Sequence, residues 1–194
     1  LLSKSEFKKF AKLRKKNKKT NDKKLFVLDF KGNIKASEIV SLRREISGII
    51  LSHKKSDEVL LRLENSGGTV HEHGLAAAQL KRLKDKNIPL TICVDKVAAS
   101  GGYMMACVAN KIIASPFAII GSIGVLAQVP NFNKLLKNKG IDFEQHTAGN
   151  YKRTVTMFGE NTDKDREKLG EQLQDIHVLF KDFITANRKN IDIE

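Results

Sequence analysis

The chain of 194 residues has no run of about 18 apolar residues, so no segment of it spans a membrane by itself. Neither end reads as a signal peptide. Cysteine is scarce. Cys93 and Cys107 both lie in apolar stretches at a spacing that fits no zinc pattern, and each reads as a small buried hydrophobe. There is no H-E-x-x-H, so neither a metal nor another cofactor is expected. G-x-S-x-G is also absent, which excludes one common signature of a nucleophilic serine. No internal repeat or low-complexity linker is visible beyond a basic tail.

What is present is an ordinary globular composition, 41% hydrophobic and 29% charged, long enough to bury a core without staples. The formal charge of +13 is concentrated at one end. Residues 1–24 carry eleven Lys or Arg against Glu6 and Asp22, a net +9, which leaves +4 for residues 25–194. The chain therefore divides into a basic tail, 1–24, and a folded domain, 25–194. Such a tail is solvated, or lies beside acidic lipid next to a membrane anchor. With two aromatics (Phe7 and Phe10) and no RNA-binding signature, nucleic acid is not an expected partner.

Apolar runs at 24–30, 58–63, 90–94 and 111–114 read as strands. Helical periodicity covers 37–51 (Ile39, Leu42, Ile46, Ile49 and Ile50 on one face) and 70–84 (Leu75, Ala76, Leu80 and Leu83). Shorter helices are expected at 103–109 and 131–138, and a long one at 162–187 with Leu169, Leu173, Ile176, Phe180 and Phe183 in a stripe. Residues 121–126 read as a turn plus strand, and 141–146 alternate as a strand does. Strands alternating with helices make this an α/β chain of βαβ units with a largely parallel sheet. Sites in such sheets gather at the carboxyl ends of the strands. Three glycine-bearing turns fall there: Gly67-Gly68, Gly101-Gly102 and Gly121/Gly124.

In the stretch Val94 to Ala106 an apolar strand ends in small residues, then Ser100, two glycines and good helix formers. That sequence presents one hydroxyl at a strand-to-helix turn, with the following N–H groups free to bind negative charge. On this stretch alone Ser100 is either a nucleophile or the N-cap of its helix. A nucleophilic serine needs a base. His53, His71, His73, His146 and His177 each read as exposed or capping residues, and the two-residue spacing of His71 and His73 puts them on different helical faces. A neutral lysine can serve instead where burial without an acidic partner disfavours the ammonium form. Lys152 follows a predicted strand and has no carboxylate within seven residues on either side.

The blocks Asp95-Lys96-Val97-Ala98-Ala99-Ser100-Gly101-Gly102-Tyr103, Gly121-Ser122-Ile123-Gly124-Val125 and Ala148-Gly149-Asn150-Tyr151-Lys152-Arg153 resemble the signal peptide peptidase A/SohB family, membrane-associated serine–lysine peptidases of bacteria. The resemblance runs from about Leu25 to the last residue. It implies a Clp/crotonase-type fold, Ser100 as nucleophile, Lys152 as general base and Ser122 as the residue orienting the lysine. It also implies an oxyanion hole from the N–H groups of Gly67 and Gly101, with Gly68, Gly102 and Ile123 on the substrate side. Ala98, Ala99 and Met104 beside them suit small or apolar side chains. The family usually has proline before the paired glycines, where this chain has Ser66, a turn residue. The implied partners are a peptide substrate, further copies of the chain in a homo-oligomer, and the inner membrane, on its periplasmic side, through a preceding helix. A further strand and helix are expected beyond Glu194. Three other readings stay open: a Clp-like Ser-His-Asp peptidase using His146 or His71, a non-catalytic assembly scaffold, and a crotonase-type acyl-thioester enzyme.

Overall fold

The computed structural model describes residues 23–149, 151–189, 191 and 193, so most of the basic tail lies outside the described residues. Four strands, β1 (Leu25–Lys31), β2 (Glu58–Glu64), β3 (Leu90–Val94) and β5 (Lys111–Ala114), form a wholly parallel sheet in that order. The connections are α1 (Ile39–Ser52), α2 (Val70–Asp85) and, after a short β4 (Val97–Ala99), the six-residue α3 (Gly101–Ala106). Each strand is therefore laid beside its predecessor, as successive βαβ crossovers require. This is the Clp/crotonase-like α/β arrangement expected from the sequence.

The core lies between one face of the sheet and the helices. Leu28, Phe30, Val59, Leu61, Leu63, Leu90, Ile92 and Val94 alternate into it, which is period-2 burial. They meet Leu42 and Ile46 of α1 and Ala76, Leu80 and Leu83 of α2, all buried. Leu75, expected in that stripe, is 38% exposed, and the inward positions it leaves are taken by His73 and Ala77. The sheet's other face is open: Leu25, Val27 and Ile113 are exposed, and Asp29 and Arg62 pair across it with a two-pronged ion pair at 2.6 and 2.7 Å.

Three expectations are corrected. The strand at 121–126 is instead β6 (Ile119–Gly121), paired in parallel with β4, and it stops where Gly121 and Ser122 take positive φ (104° and 52°). Residues 141–146 are not a strand. Their alternation is real, but no neighbouring strand is hydrogen-bonded to them, and Ile141 and Phe143 are exposed. The last helix, α5 (Asp163–Asn187), follows the short α4 (Asn133–Asn138) and opens with a Thr162–Asp165 capping box. Of its expected stripe only Phe180 is fully buried, joined by Ile184. Leu169, Leu173, Ile176 and Phe183 are half-buried, because only the helix's C-terminal end reaches the core.

Candidate active site at the carboxyl ends of the strands

Beyond β2 the chain runs through Asn65 into a second, smaller ladder. Asn65 N–H donates to the Val97 carbonyl at 2.9 Å, and Ala99 N–H donates to the Asn65 carbonyl at 3.0 Å. Because β4 also pairs with β6, with Ala99 opposite Gly121, three chain segments converge within a residue of Ser100. Ser100 N–H donates to the Gly121 carbonyl at 2.7 Å, which places Ser122 next to Ser100 at the end of the ladder.

Ser100 has φ 51° and ψ −120°. A non-glycine residue in that region carries strain of order 1–3 kcal/mol and persists only where its surroundings enforce it. Here the enforcement comes from the Gly121 bond on one side and from Met104 N–H donating to the Ser100 carbonyl at 3.0 Å on the other. The Ser100 hydroxyl makes no capping bond, so the capping role open at the sequence level is not the one it fills. The N–H of Gly101, at the start of α3, belongs to the set a helix start leaves without an intrahelical acceptor.

The glycine turn after β2 lies against this serine. Gly67 has φ +93°, and a Cβ there would stand 2.7 Å from Ser100 Cβ and 2.9 Å from Gly101 N. Only glycine allows both that backbone conformation and that approach. The Gly67 N–H, expected as an oxyanion donor, donates to Asn65 Oδ1 at 2.7 Å, inside its own turn. Two of the residues assigned to the substrate side also do something else. Gly102 is buried with its α-carbon against the Asn65 backbone carbonyl, and Gly68 abuts the main chain of Ile34. Ile123 is half-buried against the core, Met104 is buried, and Ser66 is an exposed turn residue.

Charge at this rim is organised at the strand ends. Lys96 at 3.3 Å and Lys31 at 3.6 Å hold the Glu64 carboxyl below its usual range, mainly through the Lys96 hydrogen bond. Lys152 is exposed on the segment after Gly149, and among the described residues no hydrogen bond joins it to Ser100 or Ser122. The shelter from water expected for a neutral amine is not supplied by the described residues. Among the histidines, His146 and His71 have side chains 90% and 80% exposed and approach only Glu144 and Glu72 beside them. His53 faces the Ile50 carbonyl at the end of α1.

His73 is the residue that sequence reasoning misplaced. It is fully buried, with Nδ1 2.9 Å from the Thr69 carbonyl and Nε2 3.0 Å from Asn65 Oδ1. Its signal was legible: His73, Ala76, Ala77 and Leu80 stand at the i, i+3, i+4 and i+7 positions of a core-facing stripe.

A strained serine whose hydroxyl makes no capping bond, held between glycine turns at the carboxyl edge of a βαβ sheet, marks an α/β protein of the Clp/crotonase kind. Comparison with known proteins narrows the class. The model of peptidase family S49 matches residues 82–193, and that of the peptidase family S49 N-terminal region matches residues 2–80. The chain is 62% identical over 183 residues to the "Probable protease SohB" of Buchnera aphidicola subsp. Schlechtendalia chinensis, covering 93% of this chain and 60% of that protein. It is 58% identical over 170 residues to the "Probable protease SohB" of Haemophilus influenzae, covering 88% of this chain and 48% of that protein. The chain belongs to peptidase family S49. It spans roughly half of the length of the curated relatives it matches.

Proposed function

We propose that this chain is the catalytic portion of a membrane-associated serine endopeptidase that cleaves peptide bonds by acyl transfer. The observation that carries the reading is Ser100 itself, strained, uncapped, and in contact with Gly67 on one side and Gly121-Ser122 on the other. Ser100 Oγ attacks the scissile carbonyl carbon while its proton passes to the neutral Lys152 amine. That proton then goes to the departing amine as the C–N bond breaks. Water, deprotonated by the same lysine, hydrolyses the acyl-enzyme. The Gly101 N–H and a donor from the glycine turn after β2 bind the oxyanion. Each such donor is worth a factor of about 10²–10³ in rate.

Because Lys152 is exposed and unbonded to Ser100 in a single chain, the reading places the completed dyad between copies of a homo-oligomer. There the lysine segment of one copy covers the Ser100 turn of the next, and Ser122 orients the amine. Leu126, Leu135, Ile141 and Phe143 on that same segment are exposed, which supports its packing against a further copy. Substrates are peptides with small or apolar side chains, such as signal-peptide remnants, presented on the periplasmic side of the inner membrane.

The test uses the full-length protein and a peptide-cleavage assay. Ser100→Ala and Lys152→Ala are each expected to abolish cleavage. An equal mixture of the two variants, dissociated and reassembled together, is expected to regain part of the activity, since some interfaces then pair an intact serine with an intact lysine. Full activity in either single variant refutes the dyad, and no recovery on mixing refutes its assembly between copies.

A further inference from the structure

Every strand of the four-stranded sheet begins beside a lysine. Lys23 and Lys24 precede β1, Lys54 and Lys55 precede β2, Lys86 precedes β3, and Lys111 opens β5, all of them exposed. The turns that carry them are tied into one rim. Asp57, 1% exposed, accepts the N–H groups of Lys24 and Lys54, each at 2.9 Å. Val59 N–H donates to the Pro89 carbonyl at 2.9 Å, and Leu90 N–H donates to Asn110 Oδ1 at 2.8 Å. Against the six lysines these turns set Asp57 and Glu58, a net +4. Asp85 close by is engaged by Lys81 at 3.1 Å.

The two ends of the sheet treat charge differently. At the carboxyl ends Lys31 and Lys96 share Glu64, and Arg62 pairs with Asp29. At the amino ends Lys24, Lys54, Lys55, Lys86 and Lys111 form no ion pair among the described residues. Like charges held in one row repel unless an external anion neutralises them. The basic tail, net +9, joins the fold at this same rim through Lys23 and Lys24. A cleft of about 270 Å³ opens between His53, Lys54, Lys55 and Lys86, room enough for a phosphate headgroup. Leu51, one turn before Lys55, is 88% exposed, and Leu25 at the start of β1 is 54% exposed. Cations beside exposed leucines match a bilayer surface, where anionic phosphates lie above acyl chains. The rim turns carry no aromatic residue on which a base could stack, so nucleic acid fits them less well.

We propose that the amino-end rim of the sheet is a docking surface for an acidic phospholipid bilayer, a contact made by the folded domain in addition to the tail. Docking this way fixes the domain's orientation. The seven residues of β2 carry the chain about 23 Å from the rim to the carboxyl edge. Ser100 therefore faces away from the bilayer and meets peptide ends that have left it. That corollary rests on the reading of Ser100 as nucleophile, whereas lipid binding is measured without cleavage, so the two fail separately.

The experiment measures partition of the 194-residue chain onto vesicles of phosphatidylglycerol and phosphatidylethanolamine in equal parts, with phosphatidylcholine vesicles as the uncharged comparison. Binding is expected on the acidic vesicles and not on the uncharged ones. The triple variant Lys54→Gln, Lys55→Gln, Lys86→Gln is expected to lower the partition coefficient by about 10², at about fivefold per lysine near the surface. A charge-matched triple, Lys35→Gln, Arg43→Gln, Arg44→Gln, keeps the same tail and removes cations elsewhere. Arg44 stands about 12 Å along α1 from Ser52, beyond the screening length of about 10 Å at about 0.1 M salt. That triple is expected to lower partition by less than about threefold. Leu51→Ser is expected to lower it about tenfold. Amide hydrogen exchange should show vesicle-induced protection at 53–57 and 86–89 and none at the Ser100 turn. All the substituted side chains are exposed, and circular dichroism checks that each variant is folded. Equal losses in the two triples overturn the proposal, since net charge and tail would then account for binding. Protection at the Ser100 turn in place of the rim overturns it too, as does tighter binding of a DNA duplex than of acidic vesicles at the same salt.

Discussion

Two glycine-to-alanine substitutions in helices should act in opposite directions, and the sign depends on one buried ring. Gly48 lies in α1 with nothing within 4 Å of the place a Cβ would occupy. Alanine there gains only the backbone preference, about 1 kcal/mol of added stability, or some 2–4 °C in thermal midpoint for a chain of this size. Gly101 opens α3 above His73, and its added methyl would stand 2.7 Å from both Cβ and Cδ2 of a side chain with no exposed surface. Neither ring nor helix can retreat, since His73 is held at both nitrogens and the Ser100 backbone just before Gly101 is tied to Gly121 and Met104. Overpacking of this kind costs about 3 kcal/mol at the upper end of the usual range. Offset by about 1 kcal/mol of helix preference, it leaves a net loss of about 2 kcal/mol, or a midpoint lower by roughly 4–8 °C. Urea unfolding followed by circular dichroism, at one fixed protein concentration, measures both. In a His73→Gly background, which removes Cβ together with the ring, the space beneath Gly101 is open, so Gly101→Ala should turn from destabilising to mildly stabilising, a coupling of about 3 kcal/mol. Equal costs for Gly101→Ala in both backgrounds, or a neutral Gly101→Ala in the parent, would refute the placement of the ring.

Two more outcomes follow from groups away from the site. Asp57 caps a turn by accepting the N–H groups of Lys54 and Lys24, each at 2.9 Å, and these bonds hold its carboxyl below the usual value of 3.8. A depressed folded value means stability that is present above the unfolded-state value and lost as pH falls through the folded one. The urea midpoint should therefore decline below about pH 4. Asp57→Asn should lower it at pH 7 and flatten that acid decline, and an unchanged pH profile would refute the role. Burial pushes the Cys107 thiol up to about 12, while Cys93 is half-buried on the open face of the sheet. Alkylation of the folded protein at pH 8 should modify Cys93 and spare Cys107 until denaturant is added, as read by mass spectrometry of peptides. Equal labelling of both in the native protein would contradict the burial.

How far the fold was legible depends on whether the deciding interaction is local. The strands at 25–31, 58–64, 90–94 and 111–114 and the helices α1 and α2 announce themselves because each must bury one periodic face, and the residues that do so are contiguous in sequence. β4 has three residues, Val97, Ala98 and Ala99, and exists only because Asn65 and β6 are there to pair with it. No local pattern encodes that. Residues 141–146 show the reverse failure: alternation is a statement about faces, whereas a strand also needs a hydrogen-bonding neighbour. At the site, Ser100 and the glycine turns were legible because strand-to-helix turns need small residues. His73 was set aside as exposed or capping, although its place in the Ala76, Ala77, Leu80 stripe marked it as inward-facing.

The same distinction governs what one copy of the chain can do. A parallel sheet is ordinarily covered on both faces, yet here α1 and α2 cover one, and Leu25, Val27 and Ile113 remain exposed on the other. The segment carrying Lys152 likewise offers apolar side chains to solvent rather than to its own core. By contrast, the hydroxyl, the strained turn and the glycine approach are all built from contacts internal to the first 122 residues. The Lys152 side chain stays exposed. On the proposed function, the nucleophilic half of the dyad is written into the chain's own folding, whereas the basic half depends on association. On that reasoning, dilution below the assembly threshold should silence cleavage while leaving the secondary structure and the Ser100 turn intact.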